Sequence, residues 1–185
     1  MQKGKDEMER LTADEVKRLL NLRPHPREGG WFVRTYESEE LVSAEVFADD
    51  RYDGPRRTGT AIYYLLEPGT FSEMHVLTSD EIFHHYIGDA VEMLRLNPDG
   101  SSKRVVIGKD LQAGERPQVV VPRGVWQGSR LLPSAQQGAD AYGWALLGCT
   151  VSPGFEFADY NSAPRAELIS RWPGEAEMIT GLTRE

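Results

Sequence analysis

Residues 69–88, GTFSEMHVLTSDEIFHHYIG, hold three of the chain's four histidines, His75, His84 and His85, together with Glu73, Asp80 and Glu81. Imidazoles and carboxylates at this density support three kinds of chemistry. They can coordinate a divalent metal, exchange protons near neutral pH, or satisfy one another inside a sheet. Read as two strands joined at TSD, the stretch places His75, Leu77, Glu81, Phe83 and His85 on one face if the turn keeps parity. His84 and Tyr86 then face the other way. The predicted interior pair is His75 with Glu81, and burying such a pair is costly unless its members bond to each other, to a ligand or to a metal. His84 is read as a structural histidine at a sheet or dimer contact.

Without a metal, His75 could take or give a proton, with Glu81 or Asp80 fixing its tautomer and stabilising its charged form. Arg34, in WFVRTY, sits on a predicted strand, and an inward guanidinium there would bind a carboxylate or phosphate through two parallel hydrogen bonds.

The elements that must position these groups are short and rich in β-formers. From Trp31 to about residue 160, some nine runs of Val, Ile, Tyr, Phe and Trp alternate with turn residues, among them WFVRTYES, TGTAIYYLLE, AVEMLRLN and YGWALLGCTVSP. That spacing predicts an antiparallel sandwich or barrel. NPDGS, with Asp99 and Gly100, marks a hairpin between two of the runs. A capping box formed by Thr12 and Glu15 opens a short helix predicted over 13–21, which RPHPREGG ends. Beyond GFEFADYN, Ser162 is placed to cap a helix in APRAELISRW, and GEAEMITGL predicts another. SPGFEF reads as a turn followed by an edge strand in which Phe155 and Phe157 pack. The polar segments 47–59 and 132–143 are read as loops, either lids over a site or plain surface.

Composition restricts the function classes. A length of 185 residues suits a single domain, here placed at 11–185 behind a flexible 1–10, with 39% hydrophobic and 27% charged residues as in a globular protein. No apolar run approaches the roughly 18 residues of a membrane helix, so no membrane partner is expected. The N-terminus has neither a secretory nor a mitochondrial pattern, which leaves the cytoplasm as the expected location. The net charge of −8 arises from scattered acids, and no basic cluster invites nucleic acid. Cys149, the only cysteine, lies in the apolar run WALLGCTV and is read as a buried thiol without a catalytic role.

The spacing Gly69, His75, Leu77, Glu81, Gly88 resembles the first motif of the cupin superfamily, with leucine at the second histidine position, and PRGVWQ resembles the second motif, with Gln127 where a histidine would stand. The ordered series LRPHPREGGWFVRTYES, TAIYYLL, SEMHVLTSDEIFHHYIGD, LNPDG, VVVPRGVWQ and GCTVSPGFEFADY is similar to one family of small cupins, domain of unknown function 985, over about residues 22–160. The resemblance implies an all-β cupin jelly-roll barrel at about 31–160, paired as a homodimer, with an interior pocket for a small-molecule ligand. In the superfamily, histidines and the glutamate hold a divalent metal. With Leu77 and Gln127 in two of those places no metal is expected, and if one binds, the set would be His75, Glu81, His85 and Gln127. Cupin sugar-nucleotide epimerases pair a histidine base with a tyrosine acid, which makes His75 and Glu81 the expected catalytic residues and Tyr63 or Tyr64 the candidate acid. Tyr64, His85, Trp126 and Gln127 join Arg34 as expected ligand contacts. The function so implied is a sugar or sugar-nucleotide isomerase or epimerase; the alternative is a non-catalytic binding or storage-like cupin.

Overall fold

The computed structural model describes residues 10–47, 49–133 and 141–184. Most of the expected flexible N-terminus and of the 132–143 loop lies outside the described residues.

Among the described residues, thirteen strands follow one another as β1 (Arg23–Pro24), β2 (Trp31–Glu37), β3 (Leu41–Val42), β4 (Arg56–Arg57), β5 (Thr60–Leu66), β6 (Phe71–Leu77), β7 (Asp80–Gly88), β8 (Val91–Leu96), β9 (Ser102–Ile107), β10 (Gln118–Val121), β11 (Trp126–Leu131), β12 (Ala145–Ser152) and β13 (Tyr160–Ser162). They form a six-stranded sheet, β1-β2-β5-β12-β7-β10, and a five-stranded sheet, β13-β6-β11-β8-β9, with β3 and β4 paired apart. The named pairings are antiparallel. Alternation along the strands explains the layering, because apolar side chains at every second position must share a face. Leu66, Phe83, Val91, Met93, Ile107, Leu131 and Leu147 fill the space between the sheets.

The helices cover the outer faces. α1 (Ala13–Leu19) starts at the predicted Thr12–Glu15 capping box and packs Val16 against Leu65, Trp144 and Leu146. α2 (Arg165–Arg171) and α3 (Ala176–Gly181) bring Leu168, Met178 and Ile179 onto Met74, Leu94 and Leu96. Pro164, not Ser162, occupies the N-cap of α2, because Ser162 is the last residue of β13 and pairs with His75. Phe155 and Phe157 form no edge strand either: Phe157 opens a short 3₁₀ turn, and the strand follows at Tyr160.

In segment 49–59, Tyr52 and Arg56 are buried. Tyr52, 5% exposed, bonds Ser79 Oγ at 2.7 Å, and Arg56 makes two 2.9 Å hydrogen bonds to buried Asp159. At the predicted NPDGS hairpin between β8 and β9, Asp99 accepts from the Ser101 amide and Gly100 takes φ of +88°.

Candidate functional site

β6 and β7 are joined by Thr78 and Ser79, yet they do not pair: β6 enters the five-stranded sheet and β7 the six-stranded one. The turn therefore carries the chain from one sheet to the other. His75 and Glu81 consequently face each other across the interior, with Nε2 3.9 Å from a carboxylate oxygen. Gln127 on β11 lies directly opposite His75 in register, so its side chain shares His75's face of the sheet. Its amide nitrogen donates to Glu81 at 2.6 Å and lies 3.4 Å from His75 Nε2.

A second pair comes from the turn between β1 and β2. The His25 amide donates to the Gly30 carbonyl at 3.0 Å, closing a loop in which His25 Nδ1 accepts the Glu28 amide at 2.8 Å. Gly29 and Gly30 have φ of +97° and +65°, and a Cβ at Gly29 would collide with the Phe71 carbonyl, so the loop docks tightly on β6. The Glu28 carbonyl accepts the Glu73 amide and its carboxylate accepts the Ser72 hydroxyl. His25 Nε2 is 3.9 Å from the other Glu28 oxygen.

The two pairs line one cavity of about 40 Å³, room for a few waters or a ligand of few atoms. Leu77, Val151 and Cys149 form its apolar floor with Ile62, and Phe32, Phe155, Phe157 and Arg34 line the rest. Phe157 is the exposed ring of the set.

Electrostatics separate the two histidines. Burial alone would lower the pKa of His75, but the Glu28 charge, the contacts with Glu81 and the Nδ1 hydrogen bond to the Glu73 carbonyl outweigh it, and the pKa is pushed up to about 9. For His25, burial prevails over the raising effect of Glu28, the neighbouring His75 charge adds to it, and the pKa is lowered. Burial, with the nearby Glu81 and Glu28 charges, pushes the Cys149 thiol well up. It is therefore an inert wall.

The family model described as Cupin superfamily (DUF985) matches residues 14–163. The chain belongs to this family. This cupin is 31% identical over 138 residues to the uncharacterized protein YML079W of Saccharomyces cerevisiae, covering 72% of this chain and 67% of that one. Two solved structures are similar over nearly the whole fold. A hypothetical protein from Leishmania major shares 30% identity at a TM-score of 0.82, covering 95% of this chain and 100% of that one. Protein SO0799 from Shewanella oneidensis shares 32% at 0.78, covering 94% and 98%.

The cupin pocket gathers only part of the residues singled out in the sequence. His75, Glu81 and Gln127 meet, and Arg34 lines the cavity while bonding Glu37 at 2.6 Å. His85 does not line it, and its Nε2 contacts the Asp89 carbonyl at 3.1 Å. Tyr64 is wholly buried in the core between the sheets, donating its hydroxyl to the Gly29 carbonyl at 2.9 Å. It thereby braces the loop that carries Glu28. Trp126 packs on the outer cluster beneath α2 and α3. Tyr63 and His84 both contact Tyr86 on the outer face of the six-stranded sheet.

His25 and Glu28 were not singled out from the sequence, and neither was Tyr160, whose ring stacks on His75 at 4.9 Å. The available signal was HPREGG itself: paired glycines permit a tight loop that can turn a histidine and an acid inward.

The superfamily's metal set does not fit these residues. Leu77 is buried and has no donor atom, and Gln127 directs an N–H, not a lone pair, at Glu81. Among the described residues no three His, Cys, Asp or Glu side chains converge as metal ligands.

Proposed function

We propose that the barrel cavity is a small-molecule site that transfers a proton to and from its ligand, an isomerase- or epimerase-type reaction on a small polar metabolite. The observation that supports this reading is the buried pair of His75 and Glu81 with Glu28 close enough to govern its charge. Groups in one cavity whose environments drive their proton affinities apart are suited to acid and base roles. With its pKa raised to about 9, His75 is protonated at neutral pH and serves as the acid. The base then falls to a carboxylate, with Glu28 and Glu81 as candidates. His25 cannot take that role while its Nδ1 lone pair accepts the Glu28 amide. The cavity volume favours a ligand of a few non-hydrogen atoms over a sugar nucleotide.

The test is proton exchange with solvent. Three- and four-carbon hydroxycarbonyl and aminocarbonyl compounds are incubated with protein in D2O and their carbon-bound protons followed by NMR. Exchange that disappears in His75→Gln supports the reading. Binding without exchange for every compound would reduce the protein to a passive binding cupin, the reading favoured if the Gln127–Glu81 contact serves only to satisfy the buried carboxylate.

The reading includes a cytoplasmic homodimer. Among the described residues, no helix is long and apolar enough to cross a membrane. Support for pairing comes from the apolar groove on the outer face, where Leu11, Leu19, Tyr86 and Ile87 are each about half exposed. Light scattering should give twice the chain mass, and Ile87→Lys should halve it.

A further inference from the structure

Two carboxylates and an aromatic wall surround the cavity, and together they define a ligand charge. Phe32 meets the His25 ring edge-on at 4.6 Å, His25 lies 6.2 Å from Phe157, and Phe157 lies 5.3 Å from Phe155. All four rings line the cavity together with Glu28 and Glu81. Aromatic faces next to carboxylates stabilise a cation, because the ring quadrupole and the charged oxygens act in the same direction. The wall already holds one such contact, with the Arg27 guanidinium 5.4 Å from the Phe157 ring centre.

The charges lining the cavity are those of Glu28, Glu81, His75 and Arg34, with His25 held neutral; pairing of Arg34 with Glu37, outside the lining, leaves two carboxylates against one imidazolium. The hydrogen-bond inventory points the same way, because the lining carboxylates of Glu28 and Glu81 are acceptors. An ammonium group offers three donors and no acceptor, whereas a carboxylate offers the reverse.

We infer that the cavity selects a small organic cation, a primary ammonium compound of a few non-hydrogen atoms, held by Glu28, Glu81 and the Phe32–Phe155–Phe157 wall. This inference rests on the cavity being a ligand site, and it does not require turnover. It also assigns Arg34 to the wall and not to anion capture.

Three probes of matched size separate the charge classes: ethanolamine, ethylene glycol and glycolate, titrated by calorimetry at pH 7. The His75 ring is followed by NMR in parallel. Ethanolamine should bind at least tenfold more tightly than either of the others. It should also lower the pKa of His75, since a bound cation opposes a second charge beside it, whereas a bound anion would raise it. Glu28→Gln should weaken ethanolamine at least tenfold, and Phe155→Leu, which keeps the cavity apolar, should weaken it severalfold, with unfolding curves checking that both variants fold. Tighter glycolate binding with a rising His75 pKa would overturn the cation assignment while leaving the cavity a ligand site. No binding by any of the three would overturn both. Ethanolamine binding without any proton exchange would uphold the cation site and sink the catalytic reading alone.

Discussion

The loop at 25–28 and the two strands β6 and β7 contain the same two functional groups at the same 3.9 Å separation, yet they handle a proton in opposite ways. In each, a histidine Nε2 stands 3.9 Å from a glutamate oxygen. His25 has its pKa lowered and His75 has it raised. Burial opposes the charge in both cases, so the difference comes from the partners. His75 feels two carboxylates and gives its Nδ1 proton to a backbone carbonyl. His25 has one carboxylate, the repelling charge of His75, and a backbone amide occupying its Nδ1 lone pair. A ring nitrogen that must accept from an amide favours the neutral ring, and one that donates to a carbonyl accommodates either form. The His–Glu pairing alone therefore does not decide the protonation state.

Removing one partner from the His75–Glu81 pair should have the largest effect. Glu81→Leu leaves His75 with only Glu28 and leaves the Gln127 amide without an acceptor, and should cost about 3 kcal/mol or more at pH 7 in urea unfolding. A loss below about 1 kcal/mol would mean that Glu28 alone sustains the imidazolium.

Next comes pH. The folded pKa of His75 is raised from 6.5 to about 9, so its stabilising contribution is fully present below about pH 6.5 and disappears as pH rises through 9. A shift of that size corresponds to about 3 kcal/mol as an upper bound. Melting curves from pH 6 to 10 should show the decline in the wild type and a flatter profile in His75→Gln.

The loop pair should show the opposite slope. Because the folded pKa of His25 is lowered, its neutral form contributes stability above the unfolded value of about 6.5, and that contribution is lost as pH falls through the folded pKa. His25→Gln should flatten the profile below pH 6.5 and leave the alkaline limb unchanged. If the two variants flatten the same limb, the two pairs are not distinct.

The smallest effect belongs to Arg34→Gln. Its ion pair with Glu37 is partly exposed at both ends, and its loss should change stability by less than about 0.5 kcal/mol at pH 7. A larger change would show that Arg34 compensates the cavity charge directly.

Much of the fold was legible because the relevant signals are local. Alternation in FSEMHVL and EIFHHYIG places His75 and Glu81 inward whatever the strands pair with, and Thr12 with Glu15 caps α1 through contacts three residues apart. The misplaced elements are those in which a long-range pairing prevailed. Ser162 has a good cap side chain, yet the edge of β6 takes it into β13. Tyr64 has the chemistry of a catalytic acid, but the core and the Gly29 carbonyl absorb it.

The sequence by itself determined the family, the antiparallel all-β architecture, and the identity of His75 and Glu81 as an inward pair, since periodicity and motif spacing are properties of neighbouring residues. Only the tertiary structure decided that β6 and β7 belong to different sheets, so that the pair spans the interior. Only it brought His25 and Glu28, some 50 residues earlier in the chain, to the same cavity. The charge state of the site belongs to this second category. A pKa depends on every charge and hydrogen-bond partner within a few ångströms, and those neighbours come from separate strands and loops that meet only when the chain is folded.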